Sequence, residues 1–440
     1  MFSRRWITVW RLLRSGEFKE FVIRVIGFLR NAINKKPIVN YVKWRETWVE
    51  LDEEKTTFFY EKLNSLNSRP RFRVFISIDS TDLESLFLTI ESVREQLYPD
   101  WVLYLTSEDQ PNPDLYEKVS SFSDSRIKLG NSESFDTDDW FVELDSTIRL
   151  HETAFLATSI AINENQGISI IYTDHDHIDH SGNFCDPHMK PVWNADLFAA
   201  IDYLSPLVFC EKELWKICMN YKSDRHGFLL EATRDLSSSQ IFHIPNVLAS
   251  VQTGYEDSYL KPPVKRPTYE VPDPEPLVSI LIPTRDQGRM LKKCLESLYK
   301  ETNYPNFEIV LVDHETSESK ALKVITEFEL KENFEVVRFS GDFNFAAMVN
   351  RAAEAANGNV FVLLNNDTEI FDPGWLEELV AQVSRPEIGI AGALLLFGDE
   401  TIQHAGIHPG LGGLMGHGHK HLPGDSPGYF NRLKAVHEVA

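Results

Sequence analysis

Four short runs between residues 283 and 369 bring together acidic, amide and hydroxyl side chains: Pro283-Thr284-Arg285-Asp286, Asp313-His314-Glu315-Thr316-Ser317, Gly341-Asp342-Phe343-Asn344-Phe345 and Leu363-Leu364-Asn365-Asn366-Asp367-Thr368-Glu369. An acidic loop that follows a buried strand needs a counter-charge. A hard divalent cation, Mg²⁺ or Mn²⁺, supplies one when phosphate oxygens complete its coordination. On that reading a carboxylate of such a loop meets the cation, and Asp286 and Asp313, on neighbouring strand ends, could hydrogen-bond a base and a ribose. No Gly-rich phosphate loop is present, so the cation has to neutralise a diphosphate. The structural alternative for each aspartate is a turn or helix cap, roles that Asp and Asn favour.

The elements that must hold these loops are legible as a repeat. Residues 73–79 (Arg-Val-Phe-Ile-Ser-Ile-Asp) and 278–283 (Val-Ser-Ile-Leu-Ile-Pro) are short apolar runs, as expected of strands buried on both faces of a parallel sheet. Each run precedes a helix-period segment containing Glu-Ser (Glu91-Ser92; Glu296-Ser297), a Tyr-Pro turn (Tyr98-Pro99; Tyr304-Pro305) and a second apolar strand, at offsets of 205 to 206 residues. Phe141-Val142 then matches Phe361-Val362 at an offset of 220. Strand–helix–strand with short connections is a βαβ unit, so the expected fold is α/β, with two tandem, Rossmann-like, mostly parallel domains. The loops at strand C-termini are where open α/β sheets bind ligands. Six prolines within residues 261–276 mark an extended linker. The expected organisation is a basic helix over 1–36, a helical connector over 37–69, a first domain over 70–255, a linker over 256–276 and a second domain over 277–440.

Composition narrows the possibilities. The chain has 440 residues, with 44 Lys+Arg against 66 Asp+Glu for a net charge of −22. A 42% hydrophobic fraction rules out wholesale disorder, and the acidity argues against nucleic acid as a partner. Cys185, Cys210, Cys218 and Cys294 are too scattered for a zinc knuckle or disulfide framework, which points to a reducing compartment. Residues 1–36 run against this trend, with nine Lys/Arg and two Glu, a net of +7. Trp6, Trp10 and Leu13, then Val22, Val25, Ile26 and Leu29, recur at helical spacing among those cations. Such an amphipathic helix suits the headgroup plane of an anionic bilayer. The expected location is therefore cytoplasmic, peripheral at the inner face of the plasma membrane. The alternative is a helix docked on its own acidic protein.

The ordered motifs Val-Ser-Ile-Leu-Ile-Pro-Thr-Arg-Asp, Glu-Ser-Leu, Tyr-Pro-Asn-Phe-Glu-Ile-Val-Leu-Val-Asp, Phe-Asn-Phe-Ala-Ala-Met-Val-Asn-Arg-Ala-Ala and Leu-Leu-Asn-Asn-Asp-Thr-Glu resemble family 2 glycosyltransferases, which are inverting enzymes of GT-A fold. Within that family they resemble the rhamnosyl- and galactofuranosyl-transferase-like members of O-antigen and cell-surface polysaccharide synthesis. The resemblance implies a nucleotide-diphosphate sugar as donor and a lipid-linked or polysaccharide acceptor. It places Pro283, Thr284, Arg285, Asp286, Asp313, Asn344, Asn350, Asn365 and Asn366 around the nucleotide sugar. It also puts Asp367 in the metal-binding DxD position, with Asn365 replacing the first carboxylate. His404, His408 and His417 become candidates for an acceptor loop.

The first copy is eroded against the same pattern. Its DxD position reads Asp145-Ser146-Thr147, its first loop reads Asp79-Ser80-Thr81, and His226-Gly-Phe-Leu-Leu-Glu231 stands where an acidic base is expected. In the second copy nothing after Asp399 and Glu400 matches the family's general base, so the sequence assigns no catalytic residue, and the C-terminal part of that domain reads as missing. Loss of both catalytic elements would leave a non-catalytic nucleotide- or carbohydrate-binding scaffold as the rival function.

Overall fold

The computed structural model describes residues 40–78, 82–107, 119, 122–130, 135–136, 138–218, 225–253, 268–409 and 415–437. The basic segment 1–36, the loop 79–81 and most of the linker lie outside them. The described residues form two compact α/β units. One contains the residues up to 267 together with 397–401 and those from 407 onward; the other contains 268–396 and 402–406.

The first unit opens with two helices, α1 (Tyr41–Trp48) and α2 (Glu53–Ser65), capped by Asn40 and Asp52. The chain then enters β1 (Arg71–Ser77), α3 (Leu83–Arg94), β2 (Trp101–Thr106), β3 (Ile127–Leu129), β4 (Asp139–Leu144) and β5 (Ile148–Leu150). There follow α4 (Ala154–Glu164), β6 (Ile170–Ile178), β7 (Phe184–His188), α5 (Ala195–Ala200), β8 (Val208–Glu211), α6 (Lys212–Cys218), α7 (Arg225–Thr233) and β9 (Ile241–Gln252). The sheet order is β3-β2-β1-β4-β8-β6-β9-β5, with β7 beside β6. From β3 to β4 every pair is parallel, whereas β8 runs antiparallel to both β4 and β6.

The second unit repeats the parallel part. β10 (Val278–Thr284), α8 (Gly288–Glu301), β11 (Phe307–His314), α9 (Ser319–Phe328), β12 (Phe334–Phe339), α10 (Phe345–Ala355), β13 (Val360–Leu363) and α11 (Trp375–Val383) build a sheet of order β12-β11-β10-β13, parallel throughout. β10 is apolar because it is central and covered on both faces. Leu291, Cys294, Leu295 and Leu298 of α8 fall at helical spacing and close one face, while Met348 and Ala352 of α10 close the other. One detail recurs 206 residues apart. The buried Tyr98 donates its hydroxyl to Pro70 O (2.8 Å), and Tyr304 donates to Pro276 O (2.6 Å). A short pair, β14 (Leu395–Leu396) and β15 (Ile402–His404), completes this unit.

Two features were not legible beforehand. The connector is part of the first unit, because Arg45 of α1 donates Nε to Asp176 Oδ2 (2.9 Å), a carboxylate fully buried in β6. Tyr41 donates to the same oxygen (2.6 Å), Ser250 donates to Oδ1, and the Arg45 guanidinium lies 3.5 Å from the centroid of the Phe184 ring. The stretch from 407 onward is also built into the first unit. Its hairpin, β16 (Ile407–Pro409) with β17 (Met415–His417), leads to a 3₁₀ turn at Tyr429–Lys434. There the Tyr429 hydroxyl donates to Pro187 O (2.7 Å) and accepts from Met189 N (2.9 Å), while Phe430 stacks on His188 at 3.5 Å.

Removing one partner of a buried ion pair strands the other charge. Arg45→Ala is therefore expected to destabilise the first unit by about 3–5 kcal/mol, read as a lowered denaturant midpoint. Unchanged stability would show that Asp176 does not depend on the connector.

Candidate donor site at the strand ends

Each sequence-nominated loop of the second unit lies at the C-terminal end of a parallel strand, but the three aspartates do different jobs. Asp286 follows β10 in the left-handed region (φ 55°). Its Oδ1 accepts from Ser317 N (2.7 Å) and Glu318 N (2.8 Å), the backbone that starts α9, and its own N–H donates to Thr316 Oγ1 (3.2 Å). Those backbone donors hold its carboxyl below the usual range. Asp286 thus straps the first loop to the second. Just beyond it Gly288 lets α8 approach α9 closely, since a Cβ there would lie 2.5 Å from Ala321 N.

Asp313 ends β11 only 4% exposed. Its Oδ1 accepts from Thr316 N (3.0 Å), and Oδ2 takes the guanidinium of Arg338, its register partner on β12. Arg338 is a site residue that the sequence reading missed. Its side chain is 60% exposed, so one side neutralises Asp313 while the other faces outward at the strand ends. The available signal was the cation at the end of a strand that pairs in parallel with the one carrying Asp313.

The fourth loop is tied to the first through Asn366 Nδ2, which donates to Thr284 Oγ1 (2.8 Å). Asn365 turns the chain, its carbonyl accepting from Thr368 N (3.2 Å). Asp367 is exposed and makes no hydrogen bond or ion pair with a described residue. Its charge is felt locally: burial, and then Asp367, push the Cys294 thiol up to about 12. Pro283 is half-buried, and Arg285 and Asn350 are exposed. Asn344 caps α10, its Oδ1 accepting from Ala347 N (3.0 Å).

Among the described residues no group of three or more His, Cys, Asp or Glu could hold a metal ion. The site therefore does not fit a cation held by protein alone. It does fit a Mg²⁺-type ion, which takes one or two carboxylates and completes its shell with water and substrate phosphates, because the Asp367 oxygens are uncommitted.

The histidines are divided. His404 ends β15 in the second unit, whereas His408 and His417 share the β16–β17 hairpin of the first, where Ile407 pairs with His417 and His408 with Gly416. In the first unit the corresponding side chains among the described residues have internal partners. Asp145 Oδ1 accepts from Thr147 N (3.0 Å) and Oγ1 (2.8 Å), His226 Nε2 contacts Phe198 O (2.7 Å), and Glu231 pairs with Arg234. Asp174 accepts from Lys190 N and contacts His243 Nε2, both at 2.8 Å. Burial brings the Lys190 ammonium down to about 7.

The strand-end site falls within a recognised domain. Residues 279–409 match the family model for glycosyl transferase family 2. It is 31% identical over 428 residues to protein y4gI of Sinorhizobium fredii, covering 85% of this chain and 47% of that one. It is 28% identical over 472 residues to the O-antigen biosynthesis protein RfbC of Myxococcus xanthus, covering 94% and 36%. The chain thus spans about half the length, or less, of these two relatives. The structure of S. aureus TarS residues 1–349 aligns at a TM-score of 0.32 and 10% identity, covering 41% of this chain and 60% of that one.

If Asp286 straps the two loops, Asp286→Ala is expected to speed amide hydrogen exchange at Ser317 and Glu318 while the β10 amides stay protected. Equal exchange in both proteins would return Asp286 to the list of free ligand contacts.

Proposed function

We propose that the second unit binds a nucleoside-diphosphate sugar across the ends of β10, β11 and β13 and passes the sugar, with inversion, to a growing surface polysaccharide, and that the acceptor is lipid-linked. The observation that carries this reading is Asp367. It is an exposed carboxylate with uncommitted oxygens, on a loop tied to Thr284, beside two aspartates already engaged in structure. The O-antigen role in the name of the Myxococcus relative supports the acceptor class. GT-A architecture and the two-domain organisation belong to the same proposal.

In the proposed reaction the Asn366–Thr284 hydrogen bond fixes the loop carrying Asp367 against β10. Asp367 faces the diphosphate, and Arg285 and Arg338 add positive charge at neighbouring strand ends. Asp367 would hold a divalent cation, which would supply Lewis-acid assistance to the leaving group. The acceptor hydroxyl oxygen attacks the anomeric carbon from the face opposite the departing nucleoside diphosphate, so one carbon–oxygen bond forms as the other breaks and the hydroxyl proton passes to solvent. The first unit, in which Asp145, His226 and Glu231 are committed internally, serves as a non-catalytic partner.

Binding to the native state alone stabilises by about 2.7 kcal/mol at a hundredfold excess over Kd. Thermal melts with UDP, dTDP, GDP or CMP are expected to show a shift for one nucleotide with Mn²⁺, none with Mn²⁺ alone, and loss of that shift in Asp367→Ala. Absence of a shift with every nucleotide would favour the scaffold reading. A shift without release of nucleoside diphosphate in the presence of donor sugar and acceptor would do the same.

We also propose that residues 1–36 hold the protein peripherally on the cytoplasmic membrane face. Among the described residues no helix is long and apolar enough to cross a membrane. The 440-residue chain is expected to pellet with phosphatidylserine-containing vesicles at low salt and to stay in the supernatant once residues 1–36 are deleted. Pelleting of the deletion variant would refute the anchor.

A further inference from the structure

We infer that Phe343 is the surface on which the donor's nucleobase stacks, positioned by His314; this rests on the donor-site reading above. A single exposed phenylalanine is ordinary on a protein surface. Three observations set this one apart.

First, its loop is fixed at both ends. Gly341, in a left-handed conformation (φ 102°), gives its carbonyl to His314 Nε2 (2.8 Å) and its N–H to Glu315 Oε1 (3.2 Å). Three residues on, Asn344 caps α10. Only Asp342 and Phe343 lie between, and this braced turn holds the Phe343 ring 71% exposed.

Second, the ring stands beside a buried group with hydrogen-bonding capacity to spare. His314 is fully buried, and its ring centroid lies 5.9 Å from that of Phe343. The Gly341 carbonyl can only accept, so Nε2–H donates to it, while Nδ1 has no hydrogen-bond partner among the described residues.

Third, the location suits a base. Asp313 and Arg338 sit at the ends of β11 and β12, and the loop of Phe343 leaves β12. Asp367 follows β13, three strands from β12 in the order β12-β11-β10-β13. At about 4.8 Å per strand that separation is about 14 Å, a span that an extended nucleoside diphosphate covers from its base to its terminal phosphate. An aromatic face then meets the base plane while Arg338 meets its edge.

The test is isothermal titration of the full chain with Mg²⁺ and UDP, dTDP, GDP or inorganic pyrophosphate, for wild type, Phe343→Ala, Phe343→Leu and Phe343→Tyr. The alanine variant is expected to weaken the preferred nucleoside diphosphate roughly 5- to 150-fold, the range for one stacked base. Leucine should fail to restore binding, tyrosine should restore it, and pyrophosphate should bind all four proteins equally. Wild-type nucleotide affinity in Phe343→Ala, or a parallel loss of pyrophosphate, would overturn the stacking role and leave the donor site standing. Failure of the wild type to bind any of the nucleotides would overturn the donor-site reading and the inference together.

Discussion

The site depends on the burial of both faces of β10. A strand covered by α8 on one side and α10 on the other has no surface left for ligand contacts along its length. Polar chemistry is therefore displaced to its C-terminal end, and the parallel order brings the ends of β11, β12 and β13 alongside. At such an edge backbone and side-chain polar groups can be satisfied without entering the layered core.

Within that edge the carboxylates divide the work by what they already touch. Asp286 is spent on two backbone N–H groups of the α9 start, and Asp313 on Thr316 N and Arg338. A carboxylate with satisfied oxygens is a brace, and removing it moves whatever it holds. Asp367 is exposed and makes no hydrogen bond or ion pair with a described residue. The same separation explains why one free carboxylate suits a cation that arrives with phosphate oxygens and not one caged by protein alone.

The first unit resolves a similar set of groups in the opposite direction. Asp174, Asp176 and Lys190 are buried, His243 is half-buried, each has an internal partner, and Asp145 closes its own turn. These groups specify internal geometry: Asp176 ties α1 to β6, and Asp174 anchors the chain at Lys190. The C-terminal stretch adds to this unit through Tyr429 and Phe430, which contact Pro187, His188 and Met189.

Much of this was written locally. The uninterrupted apolar run of β10, the 291/294/295/298 spacing of α8 and the Tyr-Pro turns are short-range patterns, and they determined the α/β class and the position of the four loops. Residue type alone marked the loops as chemical. The sequence could not decide which carboxylate stays free, because that depends on partners 25 to 32 residues away, brought near by strand register and helix packing. The same applies to Arg338, to the Arg45–Asp176 pair 131 residues apart, and to Tyr429 on Met189, 240 residues apart. Periodicity reports which face of an element is buried; only the closed tertiary structure decides which distant groups meet there, because the meeting is set by how whole elements pack.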